Sequence, residues 1–211
     1  MKITLFFLST ILTIIPVSGQ FRFGIQGGAN VTSLIEKNFN HDNVRNLYRL
    51  GYNVGPVAEF RPGRFLTLKT ALILETKGNR ARVSLDTATA DLATNLVYLD
   101  LPVLLKGNIR AGSFTFFLEA GPYTGIGLTG KATADINNRK SSQDIKWGSG
   151  VNDEFKRLDF GGIAGAGAEW NRFYLEGTFA FGLANIFPVR EIDYNIHHRI
   201  FSLRGGYFFG K

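Results

Sequence analysis

The chain of 211 residues contains no cysteine. Disulfide bonds, thiolate metal sites, thiol nucleophiles and a lipid anchor on cysteine are therefore excluded. Charged residues are also scarce, at 19%, where a soluble domain averages about 25%. Apart from a short apolar run near the N-terminus, no stretch approaches the about 20 apolar residues that a transmembrane helix needs. The sequence therefore argues against thiol chemistry and against helical membrane spans.

Glycine and phenylalanine are abundant, with 25 and 19 residues. The hydrophobic content of 45% is too high for a disordered chain, and the length fits one or two domains. The formal net charge of +7 suits either nucleic acid or an anionic membrane surface as a partner.

The N-terminus has the features of a secretory signal peptide. Lys2 precedes an apolar run over 3–15, and small residues follow up to Gly19. We predict a signal peptide over 1–19 and a single mature domain over 20–211. The alternative is a buried N-terminal helix, but neither an amphipathic period nor a helix cap follows the run.

The rest of the chain has a period of two, which is typical of β-strands. The predicted strands are about 10 to 14 residues long, whereas strands of ordinary globular proteins average about 5 to 6 and tilted membrane-spanning strands need about 9 to 11. Eight such segments are predicted, at 21–30, 50–60, 65–76, 96–108, 114–127, 157–170, 173–186 and 199–209.

Each predicted strand has one apolar face and one face of polar or small residues. In the segment 173–186, Leu175 and Phe179 share a face, and Glu176 and Thr178 share the other. This alternation is expected of a transmembrane barrel, although one segment alone is a weak signal.

The connections between these segments alternate in length. Short turns lie at 61–64, 109–113 and 171–172, whereas the long connections are 31–49, 77–95, 128–156 and 187–198. Outer-membrane barrels have short periplasmic turns and long extracellular loops. We therefore predict an all-β, eight-stranded antiparallel up-and-down transmembrane β-barrel in the outer membrane, with its long loops extracellular and both termini periplasmic.

The polar faces carry glycines and charges of both signs, which suits the narrow interior of an eight-stranded barrel. We predict that these charges form a structural polar network in the lumen, because buried charges need partners. The alternative is a water-soluble barrel with an apolar interior and solvated charges. The predicted lumen residues are Arg22, Glu59, Lys69, Glu75, Asp100, Lys106, Glu119, Asp159, Glu169, Glu176 and Arg204.

Five segments have recognisable sequence patterns. The most specific are the Tyr-Leu-Asp-Leu-Pro stretch within 98–106 and the Ala-Gly-Pro-Tyr stretch within 120–125, and the others lie at 23–30, 159–169 and 201–209. In this order the segments resemble those of the PorT-like outer-membrane β-barrel family of Bacteroidota. The resemblance implies an eight-stranded outer-membrane barrel and little about activity.

Motifs for catalysis and cofactors are weak. The G-x-G-x-x-G pattern at 125–130 ends a predicted strand without a following helix, so no dinucleotide site and no cofactor are predicted. His41, His197 and His198 fall in predicted outer loops, and no metal site is predicted from them because no third ligand is evident. The remaining catalytic candidates, for a lipid hydrolase, combine His197 or His198 with Ser141 or Ser142 and Glu191, but their spacing does not support a triad.

We expect a non-enzymatic structural or accessory component of the cell envelope, for example of a secretion or surface complex. The alternative is a ligand-binding or adhesion module formed by the surface loops, and a lipid-modifying enzyme is the third hypothesis. The expected partners are outer-membrane lipid and lipopolysaccharide, the barrel-assembly machinery and an envelope protein complex. Nucleic acid is excluded because an exported barrel offers no base-stacking groove.

Overall fold

The computed structural model describes residues 20–37, 44–85, 88–136, 139–148, 150, 153–186 and 195–209. The predicted signal peptide lies outside these residues. Within the described ranges, no helix is long and apolar enough to cross a membrane.

The described residues form eleven β-strands. In chain order they are β1 (Gln20–Lys37), β2 (Val44–Leu47), β3 (Arg49–Arg61), β4 (Leu66–Ala71), β5 (Ile73–Leu85), β6 (Ala88–Ala111), β7 (Phe114–Ile136), β8 (Arg139–Asp144), β9 (Leu158–Trp170), β10 (Phe173–Gly182) and β11 (Asn195–Phe209).

The strands close into a ring with antiparallel neighbours throughout. β4 and β5 are two segments of one barrel strand, interrupted at Leu72, and both pair with β3 and with β6. β1 pairs with β3 and also with β11, which closes the ring. The order is β1, β3, β4/β5, β6, β7, β9, β10 and β11. The prediction of an eight-stranded up-and-down barrel is confirmed, and closure leaves no sheet edge within the wall.

Tight turns connect the strands at one end of the barrel, which we call the turn end. Gly112 and Asn171 occupy these turns with φ values of 60° and 57°. Glycine has no Cβ to oppose this left-handed conformation, and asparagine tolerates it better than most residues. Both turns therefore lie where the sequence predicts them.

The predicted long loops are wrong in their extent. Much of 31–49, 77–95 and 128–156 is β-strand, because β1, β5, β6 and β7 continue well beyond their predicted ends. These extensions lose the apolar alternation, since strand segments outside a bilayer need no lipid-facing side chains. Their backbone pairing nevertheless continues.

The extensions form a five-stranded sheet that we call the outer sheet. It consists of β2, the distal halves of β5, β6 and β7, and β8. A register shift between Val97 and Tyr98 of β6 marks its junction with the barrel wall. Among the described strands, β2 and β8 each pair on one side, so they are the two edges of the sheet.

Large apolar side chains cover the outside of the barrel. Leu175 is 56% exposed, Leu203 is 53% exposed, and Trp170 is 50% exposed near the turn end. This surface suits contact with lipid. One basic residue of β11 also lies on this face, because Arg199 is exposed between buried His198 and buried Ile200 near the outer end of the strand.

Candidate functional site

The inner face of the barrel collects the charged side chains. All eleven lumen residues predicted from the sequence lie on it, and each is at most 7% exposed. Strand pleating explains this placement, because alternate residues point to the same side of a sheet. Each is in at least one ion pair, and together with two further bases they form three clusters along the barrel axis.

The turn-end cluster joins three bases to two acids. The guanidinium of Arg22 lies 2.6 Å from Glu59 and 2.5 Å from Glu169. Lys106 Nζ donates to Glu59 Oε1 at 2.7 Å, and Arg61 Nη2 lies 2.9 Å from Glu169 Oε2. Both carboxylates therefore have more than one cationic partner.

The middle cluster contains two bases and three acids. Lys69 Nζ pairs with Glu176 and lies 3.1 Å from Glu119 Oε2. Arg204 lies 3.5 Å from Glu176 and 3.7 Å from Glu75. The cluster therefore connects β4, β5, β7, β10 and β11 through ion pairs.

The outer cluster is centred on Lys77. Its Nζ lies 2.8 Å from Asp100 Oδ2 and 2.9 Å from Asp159 Oδ2. The hydroxyl of Tyr123 also donates to Asp159, at 3.2 Å. Lys77 is fully buried, which places it with the lumen residues.

Lys77 stands at the start of a predicted loop and is therefore not among the lumen residues predicted from the sequence. The alternation along β5 nevertheless indicates that Lys77 faces the lumen, since Lys77 shares a face with Ile73 and Glu75. Arg61 falls in a predicted turn and is absent from the predicted lumen residues for the same reason. Together they raise the number of lumen bases from four to six against seven acids, so the interior is nearly balanced in formal charge.

Aromatic rings pack against the cations of the charged clusters. Lys106 Nζ lies 3.8 Å from the centroid of the Phe117 ring, and Arg22 Cζ lies 3.6 Å from that of Phe208. Lys77 Nζ lies 4.5 Å from the centroid of Tyr98. Cation–π contacts of this kind are favourable where the cation is shielded from water. Charged groups and aromatic rings therefore fill the lumen together.

Three described residues between β8 and β9, Ile145, Trp147 and Phe155, cover the outer end of the barrel. The Trp147 ring meets Tyr98 edge-on, with centroids 5.7 Å apart, and packs with Ile145 and Phe155. A Cβ at Gly127 would lie 2.4 Å from the Trp147 ring. The glycine pattern at 125–130 thus lies within β7, where it provides room for side chains.

The predicted positions of two histidines are wrong. His197 and His198 lie on β11, where pairing with β1 continues beyond the predicted strand. His198 is 1% exposed, and its ring nitrogens form no hydrogen bond with the described residues. Ser141 and Ser142 are exposed on β8. His41 and Glu191 lie outside the described residues.

A Ser-His-acid set is therefore not assembled by the part of the chain that the structure describes. The same residues also contain no group of three or more His, Asp and Glu side chains that could hold a metal ion. The chemistry that this lumen supports is ion pairing and packing.

A closed ring of eight antiparallel strands, apolar outside and ion-paired inside, defines an integral membrane β-barrel. The chain belongs to the family described as outer membrane protein beta-barrel domain, whose sequence model matches residues 16–188. It is therefore an outer-membrane β-barrel protein. The family match is to outer-membrane β-barrels in general and does not show that the chain belongs to the PorT-like family.

Solved structures with a similar fold include bacterial outer-membrane proteins. OprG from Pseudomonas aeruginosa is 12% identical, with a TM-score of 0.50 over 90% of this chain and 96% of that chain. Ail from Yersinia pestis is 13% identical, with a TM-score of 0.43 over 90% of this chain and 99% of that chain. At these identities the likeness concerns the fold alone. No curated protein sequence matches the chain.

Proposed function

We propose that this protein is a non-enzymatic structural or accessory component of the outer membrane, with a barrel that serves as an anchor and not as a pore. The observation that supports this most directly is the filled lumen. The largest side chains that are less than 2% exposed include Tyr98, Lys69, Lys77, Lys106 and Phe208, all on the inner face. Eight-stranded barrels in general have just enough interior space for their own side chains.

Conductance measurements test the sealed lumen. The purified full-length protein, reconstituted into planar lipid bilayers, is expected to show no unitary current steps at moderate voltage. The detergent buffer alone is the negative control, and a known porin reconstituted in the same way is the positive control. Reproducible steps that scale with the amount of barrel would contradict the anchor proposal.

The proposed orientation places the turn end in the periplasm and the outer sheet outside the cell. It is supported by the general asymmetry of outer-membrane barrels, whose short turns are periplasmic. The absence of cysteine allows a clean test with two single-cysteine variants at exposed serines, Ser142→Cys on β8 and Ser113→Cys in a tight turn.

An impermeant maleimide is applied to intact cells. It is expected to label the Ser142→Cys variant, whereas the Ser113→Cys variant should react only after the envelope is permeabilised. The reverse labelling pattern would invert the orientation. The unmodified protein provides a background free of thiols.

A second candidate function is surface binding, which the outer sheet favours. All six residues of β8 are exposed, and an exposed edge strand can pair with another chain. Lys131, Arg139 and Lys140 lie on β7 and β8 without an ion pair among the described residues. They could also contact phosphate groups of lipopolysaccharide.

Co-purification from the native outer membrane in mild detergent tests both candidates. The matched variant combines Arg139→Glu with Lys140→Glu and leaves the barrel wall unchanged. A stoichiometric partner that persists in this variant binds the wall, as an accessory role requires. A partner lost from the variant binds β8. A barrel isolated alone would contradict the accessory role and leave a structural one.

We also propose that the protein does not modify lipid. This is supported by His198, which faces the lumen without a hydrogen bond to any described serine. Cells that express the His198→Ala variant should therefore have the same lipid A profile by mass spectrometry as cells that express the unmodified protein. A changed profile would contradict this.

A further inference from the structure

Two arginines at the turn end lack partners. Arg64 lies in the connection between β3 and β4, and Arg110 lies near the end of β6. Both are exposed, and neither has an ion pair or a hydrogen bond among the described residues. The nearby carboxylates of Glu59 and Glu169 are already paired inside the lumen.

Arg64 and Arg110 line one cavity of about 640 Å³, together with Arg61. None of its described lining residues is acidic. Arg61 is already paired with Glu169, so the charges of Arg64 and Arg110 remain available. An arginine-lined cavity without a carboxylate suits a phosphate group, which the guanidinium fork binds well.

An apolar groove of about 520 Å³ adjoins this cavity on the lipid-facing wall. The two share Phe65, Asn108 and Ile109 as lining residues. Ile109 is 71% exposed and Leu118 is 70% exposed. Between them on the wall lies Gly107, which pairs with Leu118 and has no side chain to fill the groove.

We propose that the cavity and the groove together bind a phosphate-bearing lipid. The phosphate occupies the arginine-lined cavity, and one acyl chain lies in the groove over Gly107. The position fits such a ligand, because the end of the barrel wall lies where headgroups meet the hydrocarbon region. The assignment of this site to one leaflet rests on the proposed orientation. In that orientation the turn end lies at the periplasmic leaflet, and the lipid is a glycerophospholipid.

This site differs from unspecific contact of arginines with headgroups. Exposed arginines at a membrane interface reach into the headgroup region without selecting a lipid. Here the apolar groove shares its lining with the cationic cavity, so headgroup and acyl chain can be held together. A soluble phosphate would use only the cavity and would not depend on the groove.

The test is native mass spectrometry of the full-length protein in detergent micelles. Three probes are added separately: phosphatidylglycerol, diacylglycerol with the same acyl chains, and inorganic phosphate. We expect retained phosphatidylglycerol adducts and no retained diacylglycerol. The double variant Arg64→Gln with Arg110→Gln should reduce the adducts at least tenfold. The matched control, Arg80→Gln with Arg82→Gln, removes the same charge from exposed positions of β5 on the outer sheet and should leave them unchanged.

A variant that fills the groove provides the second part of the lipid-binding test. Gly107→Leu fills the groove and leaves the arginines in place, because a Cβ at Gly107 has only the carbonyl oxygen of Leu118 nearby, at 3.9 Å. We expect the same tenfold loss of lipid. Heat-modifiable mobility in gels verifies that each variant has folded.

Several outcomes would overturn the proposal. Unchanged adducts in the arginine variant exclude the cavity, and unchanged adducts in the Gly107→Leu variant exclude the groove. Equal loss in the outer-sheet control shows unspecific charge attraction. Displacement of the lipid by millimolar inorganic phosphate assigns the cavity to a soluble anion. Binding in micelles does not depend on orientation, so the maleimide experiment can fail independently.

Discussion

Lys77 Nζ lies 2.9 Å from Asp159 Oδ2 and thereby connects β5 to β9 across the lumen. The same nitrogen lies 2.8 Å from Asp100 Oδ2 on β6. One fully buried cation thus serves two buried carboxylates. Removing one partner from a buried ion pair leaves an uncompensated charge, which costs more than the pair itself contributes.

The Lys77→Met variant is therefore expected to lose about 3–5 kcal/mol of unfolding free energy. Urea titration of the refolded protein in micelles, followed by gel mobility, measures the change. The control is Arg82→Met, because Arg82 pairs with Asp91 on the outer sheet with both side chains about half exposed, at 54% and 47%. We expect this control to have an almost unchanged midpoint. Equal midpoints for both variants would contradict the importance of the outer cluster.

Asp91 provides a prediction about pH. Arg82 donates hydrogen bonds to both of its carboxylate oxygens, at 2.7 and 3.0 Å, and these bonds hold the pKa of Asp91 below its usual value. A lowered pKa in the folded state means that the pair is fully formed above the ordinary aspartate pKa and is lost as the pH falls through the lowered one. Carboxyl NMR titration should show this, and Arg82→Gln should return the pKa toward normal. An unchanged pKa in Arg82→Gln would contradict the pairing.

The residues of the lumen show how much of the structure can be predicted from the sequence. Within the membrane-spanning part, one face of each strand must be apolar and the other must fit a narrow lumen. The sequence therefore predicts on which face residues such as Glu59 and Glu176 lie. Beyond the membrane-spanning part, the strands continue without an apolar face. Lys77 and His198 therefore looked like loop residues although backbone pairing keeps them in the wall. The sequence does not predict which acid pairs with which base, because these pairs depend on the stagger between strands.

Glycines that face aromatic rings give the next prediction. A Cβ at Gly206 would lie 2.2 Å from Cε1 of Tyr174, whose hydroxyl donates to Gln26 at 2.6 Å. Gly206→Ala should therefore cost about 1–3 kcal/mol of unfolding free energy through overpacking. Its neighbour Gly205 is the matched control, because a Cβ there meets only the Tyr174 carbonyl oxygen, at 3.9 Å. Similar urea midpoints for the two alanine variants would contradict this packing.

The lipid-facing wall predicts the effect of charge. Arginine in place of Leu101, Leu175 or Leu203 should destabilise the barrel in vesicles by about 2–4 kcal/mol if the position is near the bilayer midplane. Ser142→Arg on the outer sheet is the control and should assemble normally. Heat-modifiable mobility after refolding into vesicles reports assembly. A wall variant that folds in water without lipid would contradict the membrane placement.

The two tryptophans allow the inside and outside of the barrel to be distinguished by fluorescence. Trp170 is 50% exposed on the outer face near the turn end, whereas Trp147 packs against Tyr98 over the outer mouth. In vesicles of brominated lipid, the Trp147→Phe variant retains only Trp170 and should be strongly quenched. The Trp170→Phe variant retains only Trp147 and should be quenched weakly, because bromine atoms in the acyl chains do not reach the covered mouth. Equal quenching of both variants would mean that the segment carrying Trp147 lies against lipid, and the cap over the lumen would have to be abandoned.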